Sequence, residues 1–247
     1  MTLLAEMTRD EIAERLATRP VALLPIGATE QHGHHLPLGT DNYLAEDYAR
    51  RIAERVDGIV LPTVPFGYSW VWKDLPGTVT VGHRTLEAYL TDVVESVERS
   101  GFGMLVIVDG HESNVTTMKY VVRDYAQRSS FPVVRLFYPS LSALFREHLE
   151  SDTWHGMIHA CEFETSLLLD ARPELVDMDK AVSEYPPFSD EYAYGAEQLG
   201  PLSESGVFGD PTVASRKKGE VMFRALVDEA VRIIHKAQEG PVGEGVS

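Results

Sequence analysis

The chain has 247 residues, 44% of them hydrophobic and 24% charged, which suits a globular protein with a sizeable core. A formal charge of −16 sets it against nucleic acid and anionic membrane surfaces, both of which would repel it. No apolar run is long enough to span a bilayer, no charged-then-apolar leader opens the chain, and the lone Cys161 allows no internal disulfide, so a cytoplasmic location is expected.

Helix and strand patterns alternate along the sequence. Residues 10–18 have acidic groups in a first turn and helical spacing, and Val21–Ile26 is an apolar run fit for a buried strand. Residues 42–55 are predicted helical and 58–62 a short strand. Residues 84–99 form an amphipathic helix stopped by Gly101, followed by a strand at 104–108. Helix 114–127, strand Val133–Phe137, helix 140–149, helix 159–170 and a long helix 217–237 complete the order; the tail after Gly240 reads as frayed. Such alternation predicts parallel strands joined by helical crossovers, with ligands gathered beyond the carboxyl ends of the strands.

The chemistry-bearing residues fall at those ends. Directly after the first long strand, residues 30–41 read Glu-Gln-His-Gly-His-His-Leu-Pro-Leu-Gly-Thr-Asp. Imidazoles and carboxylates so crowded are costly to desolvate unless a cation organises them. Glu30 and His32 are two apart and share a face in extended chain, and Asp41 can return after the turn, so all three are candidate metal ligands. His34 and His35 point apart, so at most one should reach a metal, and holding the ligands in place suits them better than ligation. A second cluster, Asp109-Gly110-His111-Glu112-Ser113-Asn114, follows the strand at 104–108, with Gly110 allowing a tight turn and His111 a further candidate ligand. Glu112 either ligates or faces water at a helix start.

The third cluster is His159-Ala160-Cys161-Glu162-Phe163-Glu164-Thr165-Ser166. On a helix, His159, Glu162 and Ser166 share a face, which could supply a ligand and a proton-transfer group. Cys161 has no activating cation nearby and reads as a core thiol. Trp70, Trp72 and Lys73 sit in a long aromatic loop, 66–78, that fits substrate binding or a subunit contact.

These clusters, in this order, resemble the creatininase family of metal-dependent amidohydrolases. The matching stretches are Leu24-Pro25-Ile26-Gly27-Ala28-Thr29-Glu30-Gln31-His32-Gly33 with Asp41, then Leu75-Pro76-Gly77-Thr78, Gly110-His111 with Asn114, His159-Ala160, Glu164-Thr165-Ser166, the block Gly206 to Ser215, and Lys218-Gly219-Glu220. The resemblance implies one domain over residues 1–247, a three-layer α/β/α sandwich with a mostly parallel central sheet, and a homo-hexamer. It also implies two divalent metal ions per subunit, zinc, manganese or iron. Carried over, Glu30 and His111 would hold one ion, His32 the other, and Asp41 would bridge them. Creatininases carry a glutamate ligand where this chain has Ser113. Other family members draw that ligand from the helix near His159, so Glu162 is expected as the fifth donor, with Glu112 in reserve. The family's glutamate before the residue matching His159 resembles Ile158 here, and its two tryptophans that enclose creatinine resemble Pro139 and about His155, so creatinine is not the expected substrate. The expected activity is hydrolysis of a small cyclic amide or formamide by metal-activated water, with His159 or a neighbouring carboxylate moving the proton. The rivals are a cyclic ketone or lactone, such as an oxidised sugar or inositol, at the same site, and a non-catalytic oligomeric scaffold stabilised by metal.

Overall fold

The computed structural model describes residues 2–156, 159–188, 192 and 194–239; Ile158 and the tail after Gly240 lie outside the described residues. The two longest strands, β2 (Val21–Ile26) and β4 (Met104–Asp109), are buried at every position, as strands covered on both faces must be. With β1 (Thr2–Leu3), β3 (Ile59–Val60) and β5 (Val133–Phe137) they form a five-stranded sheet in the order β1-β3-β2-β4-β5, each pair parallel. Pro25, a poor residue for a central strand, is tolerated for a local reason. Its carbonyl points toward Val64, on the side where β3 has already ended, so its missing N–H costs no ladder bond.

Helices cover both faces. Alternate strand residues feed two cores. Leu23, Val106 and Val108 pack with α2 (Thr40–Val56), α6 (Glu162–Ala171) and α7 (Arg216–Gln238), while Leu24, Leu105 and Ile107 pack with α3 (His83–Ser100) and α4 (Val115–Tyr125). Helix α1 (Arg9–Leu16) lies against the second core through Ile12 and Leu16, and α5 (Leu141–His148) joins the first through Leu144. No helix among the described residues is long and apolar enough to cross a membrane.

Two features place the site. From β2 the chain runs out through α2 to β3, then crosses back through α3 to β4 on the other side of β2. The connections therefore diverge between β2 and β4, opening a crevice at their carboxyl ends. The second feature is a late start to α6. The helix expected at 159–170 begins only at Glu162, because Ala160 adopts a left-handed φ of 50° and Cys161 caps the helix in extended conformation. His159 therefore precedes the helix, and the face it was to share with Glu162 does not exist.

Candidate metal centre

Each donor comes from a segment leaving the crevice. Glu30 and His32 follow β2, and the Glu30 N–H bonds the Leu38 carbonyl, which folds the loop back so that Asp41 returns in the first turn of α2. A carboxylate is favoured at that helix end. His111 follows β4. Its neighbour Gly110 has no side chain because a Cβ there would collide with the Asp41 carbonyl; close approach, rather than an unusual φ, requires the glycine. Glu164 enters from the first turn of α6, where it also accepts the Ala160 N–H at 2.6 Å.

These side chains meet around Asp41. One of its oxygens, Oδ1, lies 3.0 Å from His32 Nε2, and the other, Oδ2, 3.1 Å from His111 Nδ1. Glu30 Oε1 is 3.5 Å from both His111 Nδ1 and His159 Nδ1, and Glu164 Oε2 is 4.0 Å from His32 Nε2. Among the described residues, three groups of donor atoms are close enough to hold an ion: Glu30–Asp41–His111, His32–Asp41–Glu164, and Glu30–His32–His159. All six residues are at most 5% exposed.

The residues fit a cation on their own evidence. Glu30 Oε1, His32 Nε2 and Asp41 Oδ2 are buried with no hydrogen-bond partner, although all three point into the cluster. Buried polar atoms are rarely left so unless something unseen engages them. Behind the rings, His32 Nδ1–H donates to the Glu30 carbonyl at 3.2 Å and His111 Nε2–H to the Tyr68 carbonyl at 3.0 Å. Both imidazoles thus turn their other ring nitrogen inward, the arrangement typical of metal-ligating histidines.

Charge tells the same story. Burial lifts Glu30 and Glu164 to about 7, the neighbouring Asp41 charge adding to both against the pull of His111 on Glu30 and His32 on Glu164. Burial would lower His32, but Asp41, with Glu164 and Glu30, raises it to about 10; His111 likewise reaches about 10 through Glu30 and Asp41. Burial would raise Asp41 too, yet His32 and His111 hold it well below the usual carboxylate range. The carboxylates demand positive charge, and protons on the imidazoles supply it where a divalent ion would otherwise do so.

The expected residues divide in two. Glu30, His32, Asp41, His111 and His159 come together. Glu162 does not: its carboxylate turns away to accept the Ser151 N–H at 2.8 Å, the Ser151 hydroxyl at 2.7 Å and the Glu150 N–H at 3.0 Å, and it pairs with Lys218. Glu164, two residues on, stands in the place expected of Glu162. The shifted start of α6 is the cause. Glu112 is exposed and outside the cluster, and His34 is exposed, whereas His35 is buried with Nε2 3.0 Å from Thr165 Oγ1. Trp72 is buried, its ring stacked on His159 at 4.1 Å, and it packs on Phe208. Trp70 is half-buried and carries Lys73 Nζ 5.5 Å over its ring, with Lys73 itself exposed. Burial drives His159 well below the ordinary histidine range, helped by His32.

Four supporting residues were given no role from the sequence. Asp109 Oδ1 accepts the His111 N–H and the Asn114 side chain, and Asn114 also holds the Gly27 carbonyl and the Tyr68 N–H, clamping β2, β4 and the aromatic loop together. Ser69 donates its hydroxyl to Glu30 Oε2. Trp154, beside the position expected to be about His155, is buried and packs edge-on to Phe208 at 4.7 Å, adding a second indole near the cluster.

Fold and cluster together define a metal-dependent hydrolase of α/β type. The family model described as creatininase, creatinine amidohydrolase, matches residues 5–234, and the chain belongs to the creatininase family. It is 32% identical to the creatinine amidohydrolase of Pseudomonas putida, over 90% of this chain and 92% of that one. It is 28% identical to the mycofactocin precursor peptide peptidase of Mycobacterium ulcerans, over 97% and 94%, and 26% identical to the 3-dehydro-scyllo-inosose hydrolase of Thermotoga maritima, over 94% and 82%. A solved creatinine amidohydrolase superposes with a TM-score of 0.83 at 30% identity, covering 98% of this chain and 99% of that one. Related creatininase structures are described as Zn-Zn type and as the Mn form.

Proposed function

We propose that this chain hydrolyses a C–N bond of a small cyclic amide or a formamide at a dinuclear centre, with Glu30, Asp41 and His111 holding one divalent cation and His32, Asp41 and Glu164 the other. The observation that carries the reading is the number of donors: three side chains per ion, with Asp41 shared through separate oxygens. Structural zinc sites are closed by four protein ligands, whereas three leave a position for water and substrate. That count weighs against a non-catalytic scaffold. When bound, two such cations make a nucleophile available at neutral pH and polarise a carbonyl. The protein's own part is to hold the donors rigid: Ser69 fixes Glu30, the Glu30 and Tyr68 carbonyls orient the two ligand imidazoles, and Trp72 fixes the plane of His159 over the centre.

C–N hydrolysis is favoured because relatives named for a creatinine amidohydrolase and a peptide peptidase share nearly the full chain. The 3-dehydro-scyllo-inosose hydrolase supports the second reading, in which the same centre opens a cyclic ketone or lactone. Assembly into a homo-oligomer, a hexamer by family resemblance, belongs to the proposal as well; Leu38, Phe66, Val79 and Tyr89 are exposed apolar residues that would gain from it. The test is a panel of lactams, hydantoins, formamides, short peptides, creatinine, lactones and keto-inositols offered to manganese- or zinc-loaded protein. Amine or ammonia release from a lactam, hydantoin or formamide supports the first reading, and turnover confined to lactones or keto-inositols replaces it with the second. Full activity after exhaustive chelation, or in Asp41→Ala, refutes both.

A further inference from the structure

Three imidazoles face the carboxylates, and what stands behind them differs. Behind His32 and His111 are main-chain carbonyls, which can only accept. Behind His159 is the side-chain amide of Gln31, whose Nε2 lies 2.6 Å from His159 Nε2. The amide cannot turn round. Its Oε1 accepts the Gly33 N–H at 3.0 Å and its Nε2 donates to the Gly206 carbonyl at 3.0 Å, so a flip would set oxygen against oxygen and N–H against N–H. The second amide hydrogen then points at His159 Nε2, which must accept it. Gly206 is part of the same lock: at φ +80° it passes so close that a Cβ would overlap Gln31 Oε1.

We propose that Gln31 is a positioning residue that holds His159 as the Nδ1–H tautomer, keeping this imidazole out of the cation's ligand set and turning an N–H donor toward the reacting group. The ring's near nitrogen, 3.5 Å from Glu30 Oε1, then carries a hydrogen where a ligand needs a lone pair. That selects among the three donor groups: the one containing His159 is not used. It also changes the chemistry expected of His159. A ring already protonated at Nδ1, with Nε2 engaged by Gln31, has no free lone pair with which to take a proton from water. It can donate a hydrogen bond to the oxygen that gains charge in the transition state, in the manner of an oxyanion hole. The tautomer stands on geometry alone; the donor role rests on the hydrolase reading above.

Nitrogen-15 NMR of histidine-labelled protein, metal-free and zinc-loaded, tests it, with His159 assigned by its loss in His159→Asn. The expected spectrum has a pyridine-type Nε2 and a pyrrole-type Nδ1 on His159 in both states, while His32 Nε2 and His111 Nδ1 shift on adding zinc. In Gln31→Glu the carboxylate can only accept, so the proton moves to Nε2. The freed Nδ1 should become pyridine-type and respond to zinc, and kcat should fall about 100-fold with KM within a few-fold. In Gln31→Met, which removes the lock without adding charge, both tautomers should appear. A wild-type His159 that is protonated on Nε2 or shifts as a ligand with zinc overturns the proposal, as does a Gln31→Met spectrum that still shows only Nδ1–H. Should no substrate of the panel turn over while the wild-type spectrum is as described, the hydrolase reading fails and the tautomer assignment stands.

Discussion

Glu162 and Glu164 lie two residues apart in the first turn of α6 and do opposite things. Glu162 is ionised and fully partnered: two main-chain N–H groups, a hydroxyl and the Lys218 ammonium surround it, and although burial would raise its pKa, these partners hold it below the usual value. Glu164 has one N–H partner and faces two further carboxylates, and burial raises it to about 7. The difference teaches how to tell a structural carboxylate from one awaiting a cation. Acidity and burial are shared by both; what separates them is whether the protein itself supplies enough positive partners.

The sharpest way to break the comparison is to delete Glu164. Glu164→Ala should reduce bound metal from two ions to one and cut turnover about 1,000-fold, the loss of several kcal/mol of transition-state stabilisation. The metal-free Tm should change little, since only the Ala160 bond, worth about 1 kcal/mol, is lost. Elemental analysis and melting curves read both. Glu162→Ala should do the reverse. It leaves two N–H groups and a hydroxyl without their acceptor, about 3 kcal/mol, seen as a drop of about 6–12 °C in Tm with metal stoichiometry unchanged.

A pH series separates the two carboxylates without mutation. Glu30, Glu164, His32 and His111 all have folded pKa values above their unfolded ones, near 7 for the acids and near 10 for the imidazoles. At these four groups the metal-free folded chain therefore holds more protons than the unfolded chain between about pH 4.5 and 10, and the stability they contribute should fall as pH rises through that window. Buried His35 and His159, whose folded values are lowered, act the other way up to about pH 6.5. The share of His32 and His111 is fully present below pH 6.5 and lost as pH approaches about 10. Glu162 acts oppositely, contributing above its unfolded value of 4.5 and losing that contribution as pH falls below it. Manganese should stabilise more at pH 8.5 than at pH 5.5, because its ligands must be deprotonated. Equal stabilisation at both would contradict the donor set. The smallest effect is expected from Lys218→Met, which leaves Glu162 its three uncharged donors: about 1 kcal/mol in calorimetry, with metal content and activity kept.

Much of this was legible in the sequence for physical reasons. β2 and β5 lie where expected, since apolar runs bounded by turns leave few alternatives. Two-residue β1 carries no periodicity to detect. Glu30, His32, Asp41 and His111, which the structure brings together, stood out in the sequence because each follows a buried strand or opens a helix at the one edge where loops diverge. Glu162 lies outside the cluster because the helical spacing counted from His159 does not hold, and Ala160, an alanine in left-handed conformation, gives no warning that the helix starts later. A signal for Glu164 did exist: Glu164-Thr165-Ser166 lay within the matching family stretches and Glu162 lay outside them. Trp72, in the loop expected to bind substrate or a subunit, is also the surface on which His159 rests, a relation between distant segments that no local pattern encodes.

The most direct test of the account is anomalous diffraction at the manganese edge from crystals grown with the metal. Two peaks are expected, one bounded by Glu30, Asp41 and His111, the other by His32, Asp41 and Glu164, both about 2.0–2.2 Å from Asp41 oxygens. A single peak, a peak beside Glu162, or His159 within bonding distance of an ion would contradict it.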